Sequence, residues 1–211
     1  MTGRARILLL GAGGHARACI DVIEQQGAFD VGGLVGLPEE VGCDVLGYRV
    51  IGSDGELTSL LPRYACALVS MGQIKTPEHR MRLFSLIEDW GRVCAPVVSP
   101  RAYVSRHALI GVGTIVMHGA VINAGARVGR NCIVNSQSLI EHDVVIDDHC
   151  HVSTGATINS GVNVGRGTFI GSNASVRQGV HIAERCVIGM GQRVLADCAA
   201  GSHVPPRKGA S

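Results

Sequence analysis

From Val98 to Val194 every sixth residue is Val or Ile, seventeen times in succession without a miss. Four residues after each of them the side chain is small or of modest size, as at Ala102, Ala120, Cys132, Ser138, Cys150, Ala156 and Cys186, with only Gln192 departing at the end. Six-residue spacing fits neither a 3.6-residue helix nor a flat strand with a two-residue repeat. It fits a short strand followed by a corner, and three such units close a triangular coil of 18 residues. The aliphatic then points into a prism while the small residue packs its corner. Residue n lies against residue n+18 at the strand spacing of about 4.8 Å. Gly111, Gly129, Gly165, Gly171 and Gly189 directly follow the aliphatic in five units, as tight corners require. The pattern predicts a parallel β-helix of between five and six coils, with Cys132 stacked on Cys150 in the corner column.

The first 95 residues follow a different rule. Arg6 to Leu10 reads as an apolar strand, Gly11-Ala12-Gly13-Gly14-His15 as a glycine loop, and Ala16 to Gln26 as a helix burying Ala18, Ile20, Val22 and Ile23. Gly27 ends that helix as a C-cap glycine. Further strands are predicted at Val31 to Val35 and Ala67 to Ser70, and a further helix at Pro77 to Trp90 with Met81, Phe84, Leu86 and Ile87. Alternating strand and helix imply a small parallel α/β sheet. Pro96 and Pro100 interrupt any regular element between the two halves, which places the domains at 1–95 and 96–211.

Composition narrows the function classes. The net charge is +2 with basic residues scattered, and only seven of 211 residues are aromatic. Neither a phosphate-backbone footprint nor a stacking platform is present, so nucleic acid is not an expected partner. The longest N-terminal apolar run stops at Gly11, which gives neither a signal peptide nor a membrane segment, and a cytoplasmic location is expected. Eight cysteines without a C-x-x-C pair read as buried, reduced thiols rather than a disulfide framework.

Two stretches could carry chemistry. Gly11-x-Gly13-x-x-Ala16, between strand and helix, meets the loose nucleotide-binding fingerprint, because glycines let backbone amides approach a phosphate at a helix N-terminus. The acid that such folds carry at the end of the second strand is missing: Val35-Gly36-Leu37 stands there, and Glu39 and Glu40 come only after Pro38. In the prism the densest polar run is Ile140-Glu141-His142-Asp143, followed by Asp147-Asp148-His149-Cys150-His151. A histidine beside a carboxylate has its ring oriented and its basicity raised, as a general base requires. Cys150 belongs to the inward column and His149 and His151 flank it outward, so the three do not converge on a metal ion. His107, His118, His181 and His203 read as isolated surface residues.

Taken together, the glycine loop with His15, the small α/β domain, the hexapeptide prism and Leu139-Ile140-Glu141-His142-Asp143, with His-Val-Ser-Thr-Gly nine residues later, resemble the PglD/NeuD-type bacterial sugar acetyltransferases over nearly the whole chain. The resemblance implies a Rossmann-like N-terminal domain followed by a left-handed β-helix, associated as a homotrimer. It implies acetyl transfer from acetyl-CoA to an amine or hydroxyl of a sugar, commonly a nucleotide-linked amino sugar. His142 corresponds to the proton acceptor and Asp143 to the acid that raises its basicity. His151 corresponds to a contact near the acetyl-CoA thioester, and Ser172 and Met190, 18 apart, to backbone contacts along the cofactor arm. Gly13, Gly14, His15 and Gly72 fall in the nucleotide-sugar loops. The chain departs from that pattern where relatives carry paired Asp after the second strand and where Gly72-Gln73-Ile74-Lys75 replaces a Gly-Asn-Asn or Gly-Asp-Asn stretch.

The expected reaction is direct attack of a 4-amino-4,6-dideoxy sugar on the thioester. The alternatives are sialic-acid-type O-acetylation, a non-catalytic trimeric scaffold, and a dinucleotide oxidoreductase that would leave the prism unexplained.

Overall fold

The computed structural model describes residues 4–205, so both chain ends lie outside the described residues. The N-terminal part is a five-stranded sheet ordered β3-β4-β2-β1-β5. Its strands are β1 (Ala5–Leu10), β2 (Phe29–Gly36), β3 (Asp44–Val45), β4 (Tyr48–Ser53) and β5 (Cys66–Val69). Strands β4, β2, β1 and β5 run parallel and β3 pairs antiparallel with β4. The sheet is therefore mixed and two strands wider than the periodicity predicts. Short polar-rich segments such as Tyr48–Ser53 carry no periodic signal of their own.

Helix α1 (Gly14–Gln26) follows β1, the single turn α2 (Leu57–Leu60) precedes β5, and α3 (Glu78–Asp89) follows it. Gly27 ends α1 with φ 66°, its amide donating to the Ile23 carbonyl. The buried face of α1 is Ala16, Cys19, Ile20, Val22 and Ile23. Ala18, expected inside, is exposed because the helix turns Ala16, Cys19, Ile20 and Ile23 toward the shared core and leaves Ala18 on its solvent side. Helix α3 buries Leu83, Phe84 and Ile87, and also Arg80.

From Val97 the chain winds through three parallel walls of two-residue strands, seven in the first, six in the second and five in the third. The first wall starts at Val97–Val98, the second at Tyr103–Val104 and the third at Leu109–Ile110. The register advances by 18 residues per coil, for example Ile133 on His151 and Ile140 on Ile158. The interior holds the aliphatic of each unit and the small corner residue four places on, from Val116 to Val194. Each buried Val or Ile contributes about 1.5–3 kcal/mol, so the ladder itself is the source of the prism's stability. Repetition ends after Val194: the last strand, His203–Val204, pairs with Val187–Ile188 only 16 residues back.

Corners set the tolerances. A Cβ on Gly129 would come within 2.6 Å of the Asp148 amide nitrogen in the next coil, and backbone does not yield cheaply. Gly129→Ala is expected to cost roughly 1–3 kcal/mol, read as a lowered melting temperature with unchanged far-UV circular dichroism. An unchanged melting temperature would show that the coils are not in hard contact there.

The α/β unit packs on the first wall. Ala16, Cys19, Ile20 and Ile23 share one core with Val97, Ile115, Met117 and Ile133. Among the described residues no helix is long and apolar enough to cross a membrane.

Candidate active site

Two concave sites flank the junction between the α/β unit and the prism. The first is a cavity of about 480 Å³ at the carboxyl ends of β1, β2, β4 and β5, lined among others by Gly11, Gly13, Gly36, Glu40, Asp54 and Met71. Open α/β sheets bind ligands at this end, where the strand order turns outward on both sides of β1. Gly13 is the N-cap of α1 and supplies no side-chain cap, and no acid lies in the helix's first turn. The first amides of α1 are thus free for an anion. Gly14 opens the helix and His15 follows in its first turn. The His15 ring centre is 6.4 Å from that of His151 on the first wall, so the glycine loop abuts the prism.

The second site is a groove of about 760 Å³ on the first wall, lined among others by His151, Ser153, Phe169, Ser172, Met190 and His203. Three expected cofactor residues, His151, Ser172 and Met190, therefore meet in one groove. Successive coils bring Ser172 and Met190 together, and Gly171 leaves the backbone uncovered because a Cβ there would sit 2.6 Å from the Met190 amide. Segment 71–75 joins the two sites: Met71 lines the cavity, Gly72 is exposed, and Ile74 and Lys75 line the groove. Between them the Gln73 carbonyl accepts the His151 Nδ1 hydrogen at 2.6 Å. This bond leaves His151 Nε2 unprotonated, with only Asn135 Nδ2 at 3.5 Å beside it.

His142 lies on another edge of the prism, the corner between the second and third walls. Its side chain is 59% exposed. Nδ1 donates to Asp143 Oδ2 at 2.9 Å, and Nε2 accepts from Ser160 Oγ at 2.9 Å, one coil on. Asp143 takes φ 60°, a left-handed conformation that eight other corners give to glycine. Five further corners hold Asn131, Gln137, His149, Asn173 and Arg185 in the same conformation, and Asp143 has room there because Gly125, 18 residues before it, has no Cβ to collide with Asp143 Oδ1. Glu141 accepts from Asn123 Nδ2 at 3.0 Å and from the His142 amide at 3.3 Å, which steadies the corner. Ser160, not singled out by the sequence, is legible in it as the residue 18 after His142.

The structure alters the reading of several other residues. His149 and His151 point outward from the prism yet are buried, because the α/β unit covers them. His203 is not isolated but lines the groove. His118 bonds Ser99 Oγ through Nδ1 at 2.6 Å and Asp21 Oδ2 through Nε2 at 2.7 Å. That Ser-His-Asp set is a tie between α1 and the prism and no hydrolytic triad, since Ser99 is 1% exposed and already accepts the Arg101 amide. Arg80 carried no signal: inside α3, its guanidinium donates to the carbonyls of Val69 and Met71 and to both oxygens of Asn131.

Burial governs the electrostatics of this junction. It pushes the Arg80 guanidinium down to about 10. Burial, aided by Arg80, also lowers His151 to about 4, against the bond from Gln73, and His15 to about 3. Both imidazoles are neutral when folded but take protons near pH 6.5 when unfolded. Between about pH 4 and 6.5 the unfolded chain therefore binds more protons, so stability falls as pH drops through that window and the loss from His151 levels off below about 4. His151 alone accounts for about 3 kcal/mol. The melting temperature of the wild type should fall more steeply than that of His151→Gln from pH 7 to 4.5. Parallel curves would remove His151 from the pH response.

Fold and sites together define a two-part protein: a nucleotide-type α/β unit set against a hexapeptide prism with a cofactor-sized groove. Residues 6–84 match the family described as the PglD N-terminal domain. A perosamine N-acetyltransferase from Caulobacter crescentus, solved with CoA and GDP-perosamine, is 28% identical, with 98% of this chain and 95% of that chain covered and a TM-score of 0.89. The acetyltransferase domain of PglB from Neisseria gonorrhoeae, solved with acetyl coenzyme A, is 28% identical over 97% of each chain, with a TM-score of 0.87. The α/β unit and left-handed β-helix are thus shared over nearly the full length. Residues 6–84 are of the PglD N-terminal type, and the chain as a whole is similar to hexapeptide-repeat, acetyl-CoA-dependent sugar acetyltransferases.

Proposed function

We propose that the protein transfers the acetyl group of acetyl-CoA to the amine of a nucleotide-linked amino sugar of the 4-amino-4,6-dideoxy type, in bacterial surface-glycan synthesis in the cytoplasm. Residues 1–95 serve as the substrate-binding domain and 96–211 as the acyltransferase domain. The observation that carries the reading is the His142 imidazole, braced by Asp143 at Nδ1 and presenting Nε2 at an exposed edge. His142 Nε2 takes the proton that the acceptor amine loses as it becomes an amide, while a backbone amide of the groove steadies the developing oxyanion. Ser160 holds Nε2 until the acceptor replaces it. Ser160, His142 and Asp143 also stand in the order of a serine relay, so Ser160→Ala separates the two routes: an unchanged kcat keeps the attack direct, and a loss as large as that of His142→Ala would make Ser160 an acyl carrier.

The fit of acetyl-CoA rests on the groove. Its apolar floor at Phe169 and Val187 suits the pantetheine arm, the uncovered backbone at Gly171 and Gly189 offers polar groups to the arm's amides, and Lys75 lies at the rim for phosphate. His151 faces the thioester end with its free Nε2. The groove lies on the first wall and His142 on the opposite edge, so a neighbouring copy in a homotrimer must supply His142 to each groove.

Two acceptor classes and the oligomeric state test the reading. Acetyl-CoA consumption should require a nucleotide-linked amino sugar, and sedimentation should give a trimer. Turnover only with a sialic-acid-type hydroxyl acceptor would replace the amine by O-acetylation. A monomer of full activity would refute the shared site.

A further inference from the structure

We infer that Glu40 is the acid that reads the ribose hydroxyls of a nucleotide held in the α/β cavity. The inference rests on the nucleotide-sugar reading and deepens it. In dinucleotide-type folds a carboxylate at the end of the second strand accepts hydrogen bonds from the ribose, while the phosphates lie on the first glycine loop. Here β2 ends in glycine, yet the chain turns back at Pro38 through a short 3₁₀ turn, Pro38–Glu40, and returns a carboxylate to the same point. Glu40 Oε2 accepts the Leu37 amide at 2.8 Å. A Cβ on Gly36 would meet that oxygen at 2.6 Å and the Ala12 side chain at 3.0 Å. Gly36 is therefore the vacancy into which the Glu40 carboxylate fits, beside the glycine loop, and both residues line the cavity.

The other acid in the cavity lining, Asp54, follows β4 rather than β2 and already carries an ion pair. Its Oδ2 is held by Arg82 at 2.8 Å and faces His79 at 3.6 Å. Glu40 Oε1 accepts no hydrogen bond among the described residues. Exposed Leu37 stands next to it on the cavity wall and gives the base an apolar surface.

A purely structural role for Glu40 has a control inside the molecule. After β4 the chain repeats the motif: Glu56 Oε2 accepts the Ser53 amide at 2.8 Å and approaches the place of a Cβ on Gly52. Glu56 does not line the cavity. If capping were the whole role, the two acids would behave alike.

The test is calorimetric titration of the full chain with GDP and UDP and with their 2′-deoxy forms. The wild type should bind the better diphosphate about tenfold or more tightly than its 2′-deoxy form, the usual scale for a hydrogen bond to a charged acceptor. Glu40→Gln keeps an oxygen for the Leu37 amide, so it should melt like the wild type yet lose that discrimination. Glu56→Gln should retain it. Wild-type-like discrimination in Glu40→Gln, or its loss in Glu56→Gln to the same degree, overturns the inference and leaves the nucleotide-sugar reading standing. Absence of binding by the wild type to either diphosphate overturns both.

Discussion

Replacing His142 by alanine is expected to lower the rate of acetyl transfer by about 10²- to 10⁴-fold, the range that general-base assistance supplies. The melting temperature should stay within about a degree of the wild type, because the side chain is exposed and fills no core position. Steady-state kinetics with saturating acetyl-CoA and acceptor separates the effect: kcat falls while the acetyl-CoA affinity of the groove, on another edge, is unaltered. Asp143→Asn should give a smaller loss, since an amide still bonds Nδ1 but no longer stabilises the imidazolium that forms. If kcat is unchanged in His142→Ala, the imidazole is not the base. A mixture of His142→Ala chains with chains blocked in the groove adds a geometric check, because shared sites regain activity in mixed assemblies and separate sites do not.

Arg80→Leu should destabilise the protein by about 3–5 kcal/mol, a fall in melting temperature of about 10 °C at this chain length. The guanidinium is 2% exposed and has no carboxylate among its partners. Its four donor contacts instead tie the end of β5, the start of segment 71–75 and the Asn131 corner of the prism to α3. Leucine relieves the cost of a buried charge but leaves buried oxygens without donors, and that second term is larger because several oxygens share it. Arg80→Lys should be nearly as damaging, since one ammonium cannot span the fork. A leucine variant as stable as the wild type would show that those acceptors find other donors.

Much of this was legible in the amino acids. The prism was so because its rule is local and repeats: one aliphatic and one small residue every six positions leave no other buried arrangement, and each stacked neighbour is found by adding 18. Cys132 and Cys150 meet as that arithmetic requires, the Cys150 amide lying 3.4 Å from Cys132 Sγ. His142 and Asp143 were legible because adjacent residues on a corner are adjacent in space. The α/β unit was read less fully. Strand β3 has only two residues, β4 reads Tyr-Arg-Val-Ile-Gly-Ser with neither an apolar run nor a clean alternation, and Arg80 reads as one more charge on a helix face.

The coil, its register, the pairing of His142 with Asp143 and the glycine loop before α1 all follow from neighbours a fixed number of residues apart, so the order of amino acids is enough to specify them. The folded molecule adds that the α/β unit lies on the first wall, that His151 and His15 sit at the junction, that segment 71–75 links cavity to groove, and that Glu40 returns to the end of β2. Those contacts join residues with no common period, and their geometry is set by how two independently patterned surfaces pack.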